Sequence, residues 1–265
     1  MKLIFNRHLQ RQRRQQVSID KHHKFHRFLH DLIHERLSYV LRTFKSVLII
    51  GDFDYTPPND DCCIVNFGHD VDALSEHLPF AASAFDLIIS YMDLHHANDV
   101  PGILKQINYC LKPDGLFLGA FLGGSSLWQL RAAAQQAELS NRSGCSPRVA
   151  PMISVSDAAA LLQRAGFAIP VLDHEIIELT DQTPWGLLYQ LKNLGLSNTL
   201  YDGFKGLSGK QFFTELLEYF LPSSNCKLDL DILLMSGWAP ASNQQKPLQR
   251  GSAQYHLGQF LESHK

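Results

Sequence analysis

The sequence predicts an α/β fold: a mostly parallel sheet with helices on both faces. Three observations carry that expectation. Short apolar runs closed by turn residues, such as "SVLII" (Ser46 to Ile50) and "FDLIISY" (Phe85 to Tyr91), read as strands buried on both sides. Segments with apolar residues at three- and four-residue spacing lie between them and read as amphipathic helices. The two kinds alternate along the chain, the order in which covering helices connect parallel strands.

The chain opens on a basic stretch. Arg7, Arg11, Arg13 and Arg14 precede the first acid, Asp20, a pattern that a targeting presequence and an arm docking on its own domain would both give. The expected organisation is a basic arm over 1–20, one domain over 21–257 with a helical insert at 181–225, and a tail over 258–265. Phe25, Phe28, Leu29, Leu32, Ile33, Leu37, Val40, Leu41 and Phe44 keep a helical spacing, which predicts one helix from Phe25 to Phe44. Strands follow at 46–50, 62–67, 85–92 and 115–124, with a helix over 99–115 that Pro113 and Gly115 would end. Helices are expected at 125–139 and 154–165, the latter capped by Ser154 and stopped by Gly166. Late strands at 169–179 and 227–240 flank helices at 184–194 and 209–220.

Composition excludes several classes. With 45% hydrophobic and 19% charged residues the chain can bury a full core, and a net charge of -2 with pI near 6.7 gives no basic field for nucleic acid. No apolar run approaches the ~20 residues needed to span a bilayer. Cys62, Cys63, Cys110, Cys145 and Cys226 form no C-x-x-C, which suits a reducing compartment, and Cys62 and Cys63 read as fillers of a buried strand. His22, His26, His30 and His34 recur every fourth residue and share one helix face. Adjacent pairs could hold one metal ion, but no cysteine or carboxylate cluster completes a tetrahedron, so a solvated polar face without metal is expected. His95 and His96 follow a strand at the end of the sheet where open α/β folds place ligands; His95 is expected either to line a pocket or to cap the next helix.

The run "LPFAASAFDLIISYMDLHHANDVPGILKQINYCLKPDGLFLGAFLGGSSLWQLR" (Leu78 to Arg131) resembles class I S-adenosylmethionine-dependent methyltransferases. "SPRVAPM", "LLQRAGFAIPVLD", "SGWAP", "QQKPLQRGSA" and the N-terminal "IFNRHLQRQRR" resemble one branch of them, bacterial proteins similar to a mitochondrial complex I assembly factor described as an arginine hydroxylase. The resemblance implies a Rossmann-like methyltransferase sheet (methyltransferase type 11-like), S-adenosylmethionine as cofactor, a histidine at the position of His95, and a protein partner among the subunits of a respiratory NADH dehydrogenase. It further implies the cytoplasm in a bacterium or the mitochondrial matrix in a eukaryote.

The cofactor end departs from that pattern. Gly51 matches the first of the glycines expected there, while Asp52, Phe53, Asp54 and Tyr55 replace the rest, and Pro57 and Pro58 oppose a following helix. A complete fold needs roughly 40 residues between the first strand and "LPF", and only 52–77 are available. One βα unit after the first strand is therefore expected to be missing, and with it the strand whose acid binds the ribose. The acid expected before "LPF" falls at Leu74 or Ser75, with Asp72 and Glu76 nearby. Gly51, Asp52, Glu76 and His95 remain as cofactor contacts, with Asp54 as an alternative ribose ligand; no catalytic residue is assigned. The expected function is complex I assembly through protein contacts, with cofactor binding weakened or lost. An active methyltransferase or arginine-modifying enzyme on a complex I subunit is the alternative, and a malonyl-carrier-protein methyltransferase the remote one. Arg148, Trp238, Gln244, Gln245, Lys246 and Arg250 are the expected partner contacts, against the reading of 238–250 as an ordinary strand-closing loop.

Overall fold

A computed structural model describes residues 3–17, 23–57, 61–67, 76–141, 144–220, 226–245 and 251–252. His22, Asp72, Leu74, Ser75, Lys246, Arg250 and the tail over 258–265 lie outside the described residues. In chain order the elements are α1 (Arg7–Gln15), α2 (Lys24–Ser38), β1 (Ser46–Ile50), β2 (Cys63–Phe67), β3 (Phe85–Tyr91), a 3-10 turn (Leu94–His96), α3 (Val100–Cys110), β4 (Leu111–Leu122), α4 (Trp128–Asn141), α5 (Val155–Arg164), β5 (Ala168–Asp181), α6 (Pro184–Asn193), α7 (Lys210–Glu218) and β6 (Cys226–Trp238). The six strands run in the order β2-β1-β3-β4-β6-β5. β1 pairs in parallel with β2 and β3, β3 in parallel with β4, and β6 antiparallel to both β4 and β5.

Alternation along the strands divides the core into two layers. Val47, Ile49, Leu87, Ile89 and Leu118 face one side, where they meet Phe25, Leu29 and Ile33 of α2, Ala133 and Ala137 of α4, Leu187 of α6 and Phe212 of α7. Leu48, Ile88, Phe117 and Phe121 face the other and pack on Leu104 and Ile107 of α3 and on Ala158 and Leu162 of α5. Each fully buried leucine, isoleucine or phenylalanine contributes about 1.5–3 kcal/mol by leaving water. The expected α/β architecture with helices on both faces is thus realised.

Among the described residues the sheet has six strands, and no described residue between β1 and β2 or between β2 and β3 is helical. Residues 51–57 after β1 are not helical, and β2 lies at the edge of the sheet beside β1. Two helix boundaries correct the sequence reading. α2 stops at Ser38, whose hydroxyl donates back to the Glu35 carbonyl, and Leu41, which keeps the helical spacing, is fully exposed. α3 stops at Cys110, because Lys112 before Pro113 is driven to extended backbone and "LKPDG" becomes the irregular start of β4, where the register against β3 shifts. Cys63 is exposed on the edge strand rather than buried, and all five cysteines are free thiols.

Residues 3–17 of the basic arm pack on the rest of the chain. Asn6 caps α1 by accepting from the Leu9 amide, and the segment before it forms an antiparallel bridge from Phe5 to Leu200. Asn6 N donates to the Thr199 carbonyl at 2.8 Å, Tyr201 N to the Ile4 carbonyl at 2.9 Å, and the Arg13 guanidinium to the Asn198 carbonyl. Arg7 and Gln10 of α1 are buried against the domain.

Candidate functional site

The chain leaves β1 toward β2 and returns on the other side of β1 as β3, so strand order reverses between the carboxyl ends of β1 and β3. Open α/β sheets place ligands at such a point. Gly51 follows β1 with φ 100°, and a Cβ there would stand 2.1 Å from the Tyr91 carbonyl oxygen. Glycine is therefore required by the close crossing of the two strand ends. The next residues fill the crevice. Phe53 is buried, its ring 5.4 Å from Tyr91 and 5.1 Å from His30. Asp52 is held by Arg14 of α1 at 2.8 Å, and Asp93, just past β3, by Arg7 at 2.9 Å. α1 thus lies across the carboxyl ends of both strands.

The described part of the histidine face of α2 is partly covered rather than fully solvated, with His26 buried and His30 and His34 half-buried, which corrects the sequence reading. His26 is buried and its Nδ1 shares a hydrogen bond of 2.8 Å with the Tyr91 hydroxyl. His30 and His34 approach Nε2 to Nε2 at 3.1 Å, stack against Phe53, and His30 Nε2 meets the Asp54 carbonyl. The spacing revealed one face but not the aromatic pair that covers it. No group of three or more potential metal ligands occurs among the described residues. Burial, then the charge of His30, lowers the His34 pKa from 6.5, against the weaker pull of Asp31. A base with a depressed folded pKa stabilises fully above its unfolded pKa and less as pH falls through that value. Stability is therefore expected to decline below about pH 6.5, and His34→Gln should flatten that part of a melting-temperature profile. An unchanged profile would show that His34 titrates freely.

Burial, aided by Asp52 and Asp54 and opposed by Arg14, raises the Tyr91 phenol well above its ordinary range, so it remains protonated. Glu76 lies close to the crevice but serves the backbone. Its carboxylate accepts from the amides of Asn98 and Asp99 at 2.7 and 2.8 Å and from the Asn98 side chain, while Asn98 accepts from Ile4 and Phe5. The space between Ile50, Phe67, Leu78, Arg7 and Asp93 is a cavity of about 20 Å³, room for about one water.

His95 and His96 are buried in the 3-10 turn with rings 4.1 Å apart. Neither caps α3, whose N-cap is Asp99, accepting from Gly102 N. Both line a cavity of about 190 Å³ beyond the end of β4, floored by Leu122, Leu127, Leu188 and Leu191. Arg148 closes one side, tied to the buried Glu138 at 2.6 Å and to Ser208 at 2.8 Å, and stacked over Phe204 and Phe212.

The C-terminal loop is elsewhere. Trp238 pairs with Leu116 and Ala168 near the amino ends of the parallel strands, is half-buried and packs on the larger core layer. Gln244 donates to Asp114 and to the Ala239 carbonyl and so ties the loop to the start of β4, while Gln245 is exposed. Arg148 and Trp238 therefore sit at opposite ends of the sheet and do not form one surface.

The chain matches the methyltransferase domain over residues 10–170. It belongs to that family. It is 36% identical over 193 residues to the mouse protein named arginine-hydroxylase NDUFAF5, mitochondrial, a match covering 71% of this chain and 56% of that protein. A Rickettsia prowazekii protein named as a methyltransferase by inference is 33% identical over 184 residues, covering 69% of this chain and 76% of that one. The malonyl-[acyl-carrier protein] O-methyltransferase of a Methylovorus strain is 32% identical over 182 residues, covering 68% and 60%. Among solved structures the YcgJ protein of Bacillus is similar with TM-score 0.48 at 14% identity, over 80% of this chain and 99% of that one. The chain spans just over half the length of the mitochondrial relative it matches.

The family implies S-adenosylmethionine, and the described residues at the crevice that would meet it are engaged within the protein. Phe53 is buried against His30 and Tyr91, no helix start follows among residues 51–57, Asp52 is paired with Arg14 and Glu76 with backbone amides, and the neighbouring cavity of about 20 Å³ is smaller than a nucleoside.

Proposed function

We propose that this methyltransferase-family protein acts in assembly of a respiratory NADH dehydrogenase through protein contacts, with S-adenosylmethionine binding weakened or lost. The observation that carries the proposal is Phe53, buried between His30 and Tyr91 beside the strand end where the cofactor would lie. Similarity to the mitochondrial arginine hydroxylase and the sequence motifs of the complex I assembly branch support the choice of partner. The loop over 238–250, with Gln245 exposed and Lys246 and Arg250 as cations, is one contact surface in this reading. The place of action is the mitochondrial matrix in a eukaryote and the cytoplasm in a bacterium; no helix among the described residues is long and apolar enough to cross a membrane.

Two measurements test it. S-adenosylmethionine at millimolar concentration is expected to leave the melting temperature unchanged, whereas a ligand at a hundredfold over its dissociation constant would add about 2.7 kcal/mol. A clear upward shift would restore the enzyme reading, methyl transfer or arginine modification on a complex I subunit. Affinity capture from the native source should recover NADH dehydrogenase subunits, and recovery of none would remove the assembly role.

A further inference from the structure

The cavity beneath His95 and His96 adjoins a trough of about 710 Å³ between α1 and the 198–206 loop. Arg148 and Asn198 line both spaces, and the two together make up the groove. Its inner part is apolar. Among the described residues its cationic wall residues are Arg13, Arg148, Lys192 and Lys205, and no aspartate or glutamate lines either space. Asp202 is exposed nearby without forming a wall. A cleft lined by one sign of charge over low-dielectric walls focuses potential and attracts the opposite sign.

The cations differ in what they have left to offer. Arg148 is largely committed to Glu138 and Ser208, yet its Nη2 is buried and finds no acceptor among the described residues. A buried donor without an acceptor is costly, and an incoming carboxylate or carbonyl would relieve that cost. Lys192 and Lys205 are exposed at the two ends of the groove and make no ion pair among the described residues. The exposed rings of Trp185 and Tyr189 stand on α6, a turn or two before Lys192.

We infer that this groove docks an extended acidic peptide segment of a partner protein, an apolar side chain entering the inner cavity and flanking carboxylates meeting Arg148, Lys192 and Lys205. The inference rests on the protein-contact reading above and names the chemistry of the segment recognised. It also sets a sign: an arginine side chain, the group in the relative's name, is repelled by this wall.

The test is selection of a randomised short-peptide display library on the whole protein, followed by fluorescence anisotropy of the labelled consensus peptide. Enrichment of aspartate and glutamate around an apolar residue is expected, with affinity falling at least about tenfold in Lys192→Glu/Lys205→Glu and falling with salt. Both lysines are exposed, so folding should survive, and an unchanged melting temperature checks it. Enrichment of arginine or lysine, no enrichment beyond that on the double variant, or equal affinity of both proteins would each overturn the inference. So would co-sedimentation with anionic phosphatidylglycerol vesicles that the double variant abolishes while peptide binding persists, which would give the lysines to a membrane surface. Acidic-peptide binding with no respiratory subunit captured would keep the groove and remove the assembly role, so the two failures are separable.

Discussion

Arg148→Ala should unfold at markedly lower urea concentration, with a loss of about 3–5 kcal/mol, the usual cost of removing one member of a buried ion pair. Against a total stability of about 5–15 kcal/mol this is a large fraction. Glu138 is 1% exposed and Arg148 joins it to α7 and the 204–208 segment through Ser208, Phe204 and Phe212. Truncation leaves the carboxylate buried with Ser146 as its remaining donor among the described residues. Arg148→Lys should recover little, since one ammonium cannot reproduce the planar fork and the ring stacking. Burial pushes the Glu138 pKa up, but Ser146 and Arg148 more than offset it and hold the carboxyl below its ordinary 4.5. The stabilisation is therefore present above pH 4.5 and lost as pH falls through the folded value, and the variant should lose the part of that acid limb that Arg148 supplies, the Ser146 part remaining. A variant as stable as wild type with the same acid profile would contradict this account.

Phe53→Ala is expected to cost a similar amount, about 3–5 kcal/mol, the range for truncating a buried phenylalanine. A residue in an ordinary surface loop would change stability by about 0.5 kcal/mol or less. The ring is the centre of an aromatic cluster with His30, His34 and Tyr91, so its loss opens a hole that the backbone of β1 and β3, already in contact at Gly51, cannot collapse to fill. Phe53→Leu should recover most of the loss. Calorimetric melting of the two variants decides between a structural plug and a passive loop.

The strands and most helices were legible because their signals are local. Ser154 caps α5 and donates to Asp157, and Val47 to Ile50 could only be a strand buried on both faces. The end of α2 was not legible: Val40, Leu41 and Phe44 preserve the helical period, but the chain must leave the helix to enter β1, and periodicity does not record where. The crevice was half legible. The misfit of "GDFDY" to a glycine turn is visible in the sequence, whereas the seating of Phe53 on α2 and the two arginine bridges from α1 join segments far apart. The groove was legible only in Arg148 and His95, each singled out alone, since Arg13, Arg148, Lys192 and Lys205 come from four separate segments and meet only through the tertiary fold.

The seating of α1 has a consequence for birth on the ribosome. Arg13 finds the Asn198 carbonyl 185 residues further along, so the helix cannot complete its docking until that loop has emerged, roughly 10–40 s later at ~5–20 residues per second. Throughout that interval Asp52 and Asp93 at the strand ends wait for Arg14 and Arg7 to be fixed in place. Closure of the crevice is a late event of translation, and it follows the very segment that walls the groove.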